Sequence, residues 1–342
     1  MKKAVILFNL GGPDSQESVE PFLFNLFNDP EILALPKILR YPLAKIISKK
    51  RKPIAQKIYS KIGGSSPILK LTNDQSAALE NMLNKNNNKD TYRCFVVMRC
   101  WHPRASQVVS LVKNYDADEI ILLPLYPQYS PATSGSSIKE WIGVSKKNKI
   151  NKPTKIICCY PTDESFIVAH AKLIKEKIEN LNSYKLIFSA HGLPERNIKK
   201  GDPYQWQVEQ SVKKIVEKLN IENLDWTLCY QSRVGPLKWI GPSTDDEIIN
   251  ASKQNKTILI VPIAFVSDHS ETLVELDIEY KKLAEENGCN NYTRVPALGI
   301  NGAFIDSLSN LVINKEKNQF DRKIFPPKNK CPTNFIKCPC QK

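Results

Sequence analysis

No apolar run in this chain approaches the roughly 20 residues needed to span a bilayer as a helix. No G-x-G-x-x-G follows the first strand-like run; Gly11-Gly12-Pro13-Asp14 stands there instead, and Pro13 removes a backbone donor, which argues against a dinucleotide site. No heptad pattern, solenoid repeat or low-complexity domain is visible. The N-terminus, MKKAVILFNLGGPD, lacks a small-residue cleavage pattern and reads as a first strand, not a signal peptide. With no secretory signal, the odd count of nine cysteines argues against a disulfide framework. Histidine is scarce, four in 342 residues. Hydrophobic residues at 42% and charged residues at 25% are the composition of a globular protein, long enough for two domains.

Short apolar runs alternate with helical patterns along the chain. Lys3 to Leu10, Tyr92 to Met98 and Glu119 to Leu125 read as strands of a first half, and Thr154 to Tyr160, Lys185 to Ala190, Trp226 to Tyr230 and Thr257 to Val266 as strands of a second. Alternation of this kind gives parallel sheets flanked by helices, so the fold class is α/β with two similar Rossmann-like domains facing across a cleft. The polar, charged break KKNKINKP, Lys146 to Pro153, marks the expected boundary. It divides residues 1–150, rejoined by a last helix and strand over about 300–325, from residues 151–299, with a Cys-rich tail at 326–342.

The stretch VPIAFVSDHSETLVELDIEY, Val261 to Tyr280, joins a strand directly to a helix crowded with carboxylates. Asp268 and Glu271 have the spacing of a capping box, which predicts a helix starting near Asp268. Glu271, Glu275 and Glu279 then stack on one helix face, where each like-charged pair costs roughly 0.2 to 0.5 kcal/mol. That is the pattern of a solvated acidic face, and equally of hard oxygen ligands leading a divalent cation to a strand's carboxyl end, with His269 and Glu271 innermost. The strand at Lys185 to Ala190 ends in His191-Gly192-Leu193-Pro194, where an imidazole serves as metal ligand, proton acceptor or structural turn cap. In the loop from Tyr230, Trp239 could line a pocket for a flat ligand, and Arg233 or Lys238 could pair with its carboxylates.

A net charge of +14 points to an anionic partner, a membrane surface among them. The densest basic stretch is Ile38 to Tyr59, where Leu, Ile and Tyr interleave with Arg40, Lys45, Lys49, Lys50, Arg51, Lys52 and Lys57. It reads either as a solvated surface helix or as a segment lying on anionic lipid.

Taken together, SAHGLP at Ser189, GDPY at Gly201, YQSRVGPLKWIGPSTDD at Tyr230 and VPIAFVSDHSETLVELDIEY resemble the ferrochelatase signatures. So do NLGGPDS near the start, IGGSSPI at Ile62 and YPQYSPATSGSS at Tyr126, and the resemblance covers about residues 3 to 315 in order. It implies two α/β domains around a porphyrin cleft, and insertion of Fe(II) into protoporphyrin IX as the last step of haem synthesis. By matching position, His191 is the histidine facing the macrocycle and Glu271 the opposing carboxylate, with Glu275 and Glu279 behind as further metal ligands. Asp268 and His269 back this pair, and Leu10, Tyr59, Arg99, Trp239 and Phe265 line the porphyrin pocket. Cys100 stands where the family often has Tyr, and Pro131 where animal members have a cluster cysteine.

The tail carries Cys331, Cys338 and Cys340 within ten residues, thiols able to converge on one soft metal, and Cys158-Cys159 is the only adjacent cysteine pair. Some bacterial ferrochelatases carry a cluster with this tail spacing, which implies a [2Fe-2S] group on Cys158, Cys331, Cys338 and Cys340, with Cys159 the alternative fourth ligand; zinc or free thiols remain open. The resemblance implies a cytoplasmic enzyme, in peripheral contact with the inner membrane through about residues 38–59, and no nucleic-acid partner. Coproporphyrin III as substrate, or a noncatalytic haem or metal carrier, are the rival functions.

Overall fold

A computed structural model describes residues 1–86, 89–178, 184–233, 235–313, 324–325 and 331–341. The chain forms two compact units, Met1–Cys159 with Leu308–Pro326, and Tyr160–Ser307 with Pro327–Lys342.

The first unit runs β1 (Lys2–Asn9), α1 (Val19–Phe27), α2 (Lys37–Ser60), α3 (Ile68–Asn86), β2 (Thr91–Met98), α4 (Ala105–Tyr115), β3 (Glu119–Pro124), α5 (Ser136–Lys147) and β4 (Thr154–Ile157). Its sheet is parallel in the order β2-β1-β3-β4, with Ile324–Phe325 outside β4. The central strand β1 is buried from Lys3 to Asn9, which is why it reads as a continuous apolar run and not as an alternation. Ala4, Ile6 and Phe8 meet Val108, Val112, Leu122 and Trp141 in one core cluster.

The expected domain boundary is corrected by this sheet. Thr154 pairs with Ile120 and Ile156 with Leu122, so β4 closes the first unit and the division falls after Cys159. KKNKINKP is the loop between α5 and β4, and a polar surface loop has the same composition as a linker. The tail is no separate element either, since Pro327–Lys342 belongs to the second unit.

The second unit runs α6 (Glu164–Ile178), β5 (Tyr184–His191), α7 (Glu195–Lys199), α8 (Tyr204–Leu219), β6 (Trp226–Gln231), α9 (Thr244–Lys253), β7 (Thr257–Pro262), a π-helix (Glu271–Glu279) continuing into α10 (Tyr280–Glu286), β8 (Tyr292–Arg294) and α11 (Gly302–Ile313), which crosses into the first unit. The strands are parallel in the order β6-β5-β7-β8, so the chain leaves β5 to one side for β6 and then crosses to the other side for β7. Such a reversal leaves a crevice at the carboxyl ends of β5 and β7, the usual position of ligands in open α/β sheets.

Two local expectations fail here. β7 stops at Pro262, which has no N–H for the ladder, while Ile263 and Val266 stay buried as loop and so prolong the apolar pattern. The helix after it begins at Glu271, not near Asp268, and it is a π-helix. No capping box forms, because Asp268 accepts from the Arg294 guanidinium at 2.9 Å and Glu271 turns toward His191.

Candidate active site

His191 is the last residue of β5, Gln231 lies beside it at the end of β6, and the π-helix follows the loop after β7. These elements converge because parallel strands end together. His191 Nδ1 and Glu271 Oε2 are 2.8 Å apart, and Ser232 Oγ donates to the same carboxylate oxygen at 3.2 Å. Ser232 adopts φ 59°, a left-handed conformation that turns both its N–H and its hydroxyl onto Glu275, at 2.8 and 2.6 Å. Gln231 Nε2 adds a donor to Glu275 at 2.9 Å and another to the Glu271 carbonyl at 3.2 Å, while Ser189 Oγ donates to its Oε1 at 2.8 Å. The Tyr280 hydroxyl reaches Glu275 at 3.2 Å and Asp245 at 3.3 Å.

The site sorts its titratable groups. Burial works against a charged His191, but the Glu271 carboxylate, by charge and by hydrogen bond, with Glu275 beyond it, raises the imidazole above its ordinary value. Burial also opposes ionisation of Glu271, yet His191, His269 and Ser232 hold it well below the usual carboxylate range. Glu275 is pushed the other way, up, by burial and then by the charge on Glu271, in spite of donors from Ser232 and Gln231. Burial lowers His269, whose Nε2 stands 3.9 Å from Glu271. Neighbouring carboxylates pushed apart in this way can hold a proton and a positive charge side by side.

The other residues singled out by sequence fall in two groups. Asp268, His269, Glu275, Glu279, Trp239 and Phe265 share the second unit with His191 and Glu271, and the Phe265 ring lies 4.6 Å from that of His269. Trp239 sits over Gly192, where an added Cβ would come within 3.3 Å of its ring and 3.0 Å of the Gln231 carbonyl. Glu279 lies on the exposed side of the π-helix. Leu10, Tyr59 and Arg99 belong to the first unit, where Leu10 and Tyr59 pack in one cluster with Phe22 and Cys100. The Arg99 guanidinium is held by Asp29 at 2.8 Å and Ser136 at 2.7 Å, with Glu140 at 3.6 Å. Cys158 and Cys159 are buried in the first unit with sulfurs 3.4 Å apart; Cys331 and Cys338 are buried in the tail, which belongs to the second.

Among the described residues no group of three or more histidine, cysteine or acidic side chains is gathered closely enough to hold a metal ion. Sequence reasoning passed over Gln231, Ser232, Tyr280, Asp245 and Tyr204. The one signal available for them was a run of polar residues immediately after an apolar strand.

Solved structures with this arrangement include SirB from Bacillus subtilis with Fe3+, at TM-score 0.56 and 13% identity over 93% of this chain and 97% of that one. The sirohydrochlorin chelatase of Bacillus subtilis subspecies spizizenii in complex with cobalt superposes at TM-score 0.54 and 12% identity, covering 93% of this chain and 98% of that one. These likenesses establish the fold. Sequence goes further: the Pelagibacter ubique ferrochelatase is 68% identical over 340 residues, 99% of each chain, and the Rickettsia bellii ferrochelatase 51% identical over 98% of this chain and 94% of its own. The ferrochelatase family profile matches residues 2–316, and with the two sheets, the strand-end histidine and the π-helical carboxylates in hand, this chain belongs to the ferrochelatase family.

Proposed function

We propose that the chain inserts Fe(II) into protoporphyrin IX to give protohaem and two protons, with His191 as base and Glu271 as the metal's last protein ligand. The observation that carries this reading is the 2.8 Å contact between His191 and Glu271 at the carboxyl end of β5. A porphyrin must lose two pyrrole N–H protons as the metal enters, so a base working near neutral pH has to face the ring. In the free enzyme Glu271 stabilises protonated His191. A divalent cation arriving at Glu271 replaces that partner, lowers the proton affinity of the imidazole and frees it to take a pyrrole proton. Glu275, which holds a proton more readily than an ordinary carboxyl, is the neighbouring acceptor, and Glu279 on the exposed side is the outer metal ligand. Asp268 and His269 brace the π-helix start, Asp268 through Arg294. Trp239 and Phe265 of one unit, with Leu10 and Tyr59 of the other, are our porphyrin-facing residues; Arg99, tied to Asp29 and Ser136, shapes its end of the pocket.

The test is anaerobic Fe(II) insertion into protoporphyrin IX and coproporphyrin III, followed by loss of porphyrin fluorescence, on wild type and His191→Ala. Turnover by the wild type that vanishes in the variant supports the mechanism and identifies the substrate. A wild type that metallates neither porphyrin leaves a carrier as the better account.

The [2Fe-2S] assignment on Cys158, Cys331, Cys338 and Cys340 draws support from the donor set: soft thiols, three of them buried, with the Gln207 amide 3.1 Å from the Cys331 sulfur. When bound, the cluster would supply structural bracing or a redox signal and take no part in metal insertion. Metal and sulfide analysis with EPR of anaerobically purified Cys158→Ser and Cys159→Ser decides the fourth ligand, and zinc without sulfide would replace the cluster by a zinc site.

Peripheral contact with an anionic membrane is assigned to α2. Ile38, Leu39, Tyr41, Ile46 and Ile54 are exposed there among exposed Lys37, Lys45, Lys49 and Lys50, with Ile38 at 85%. Among the described residues no helix is long and apolar enough to cross a membrane. An amphipathic, basic surface of this kind suits a cytoplasmic enzyme drawing a hydrophobic porphyrin from the inner membrane.

A further inference from the structure

The catalytic strand end is held by a residue whose own seat is built from the C-terminus. The β5–β7 ladder stops at Ser189 and Pro262, two residues before His191. Beyond that point the hydroxyl of buried Tyr204 donates to the His191 carbonyl at 3.0 Å, so a side chain takes over where backbone pairing has ended. Tyr204 opens α8, and its own N–H is fixed by Asp202 Oδ1 at 3.0 Å.

The segment Cys331 to Gln341 crosses this corner and grips it on both sides of Tyr204. On one side, Lys337 N–H donates to the Gly201 carbonyl at 3.1 Å. Gly201 has φ +86°, and a Cβ there would lie 2.7 Å from Ile336 Cγ1 and 2.9 Å from the Ile336 nitrogen, so the strap rests directly on the bare α-carbon. On the other side, the Phe335 ring stands 6.1 Å from that of Trp206, and Gln207 Nε2 donates to Cys331 Sγ at 3.1 Å. The Gln341 amide closes the strap on itself through the Cys331 and Pro332 carbonyls.

We infer that Tyr204 is a positioning residue for His191, and that the C-terminal segment is the strap that keeps it in place. The inference rests on His191 as the base. Through this corner, a change at the tail thiols reaches the active site without touching substrate.

Because the chain has only four histidines, protein labelled with carbonyl-13C histidine gives a spectrum simple enough to assign, His191→Gln identifying the His191 line. Tyr204→Phe is expected to move that line alone and to lower kcat about 2- to 10-fold, the range of one neutral hydrogen bond, with porphyrin KM within about twofold of wild type. The surface pair Phe335→Ala with Ile336→Ala, which leaves Tyr204 intact, is expected to move the same line in the same direction by less. A folded strap variant whose His191 line and kcat both match wild type overturns the strap, and an unmoved line in Tyr204→Phe overturns the positioning role. Wild-type protein that metallates no porphyrin would instead count against the activity, an outcome distinct from either.

Discussion

Replacing Glu271 by Gln keeps the shape of the side chain and removes its charge, and the pH dependence of turnover then reports what that charge does to His191. The imidazole is raised by Glu271, so it is protonated over a wider pH range than a free histidine and turnover climbs only as pH rises through the raised value. Removing the carboxylate lowers the imidazole's proton affinity, and the acid limb of kcat/KM moves to lower pH. A hydrogen bond to a charged group contributes about 1.5–3 kcal/mol, equivalent to about one to two pH units. The His191 side chain keeps 38% of its surface and solvent screens the pair, which places the expected shift near the lower end, about one unit. The height of the profile falls as well, because a metal ligand is lost, so the limb's position is the quantity to read. Titrating the ring signals of labelled histidine gives the same shift without turnover. A limb that stays in place, or moves to higher pH, refutes the electrostatic account of this pair.

Ser232→Ala deletes one of the donors to Glu275, and we expect a further rise in the proton affinity of that carboxyl and a loss of about 1.5–3 kcal/mol in unfolding free energy by urea titration, since the accepting group carries charge. Trp141→Ala empties the centre of the first unit's core and should cost about 3–5 kcal/mol by the same titration, while activity per folded molecule stays near wild type. Arg294→Met removes the partner of both Asp268 and Asp277; a stability loss of about 3–5 kcal/mol is expected, together with weaker metal insertion as the π-helix start loosens. Ile38→Glu with Leu39→Glu should abolish cosedimentation with anionic vesicles and leave insertion into detergent-solubilised porphyrin unchanged; unaltered binding would remove α2 from the membrane contact.

The parallel sheets were legible in the sequence because strands covered on both faces must be apolar throughout, and β1, β3 and β7 obey that rule. His191 stood out as a rare residue at a strand's end, and Glu271 with Glu275 stood out because repelling charges four residues apart ask for a reason. Their meeting could not be read, since they lie 80 residues apart and touch only because β5 and β7 are neighbours in the sheet. Local signals also pointed the wrong way where a distant partner outbid them: Asp268 has cap spacing but Arg294 takes it, and KKNKINKP resembles a linker although β4 pairs with β3. The π-helix, the donors from Gln231, Ser232 and Tyr280, and the strap over Gly201 depend on contacts between remote segments. Composition and spacing therefore determined which layers form and which residues carry charge to the strand ends. Only the tertiary structure decided which of those charges face each other, because protonation is set by distances of a few ångströms that no one-dimensional pattern contains.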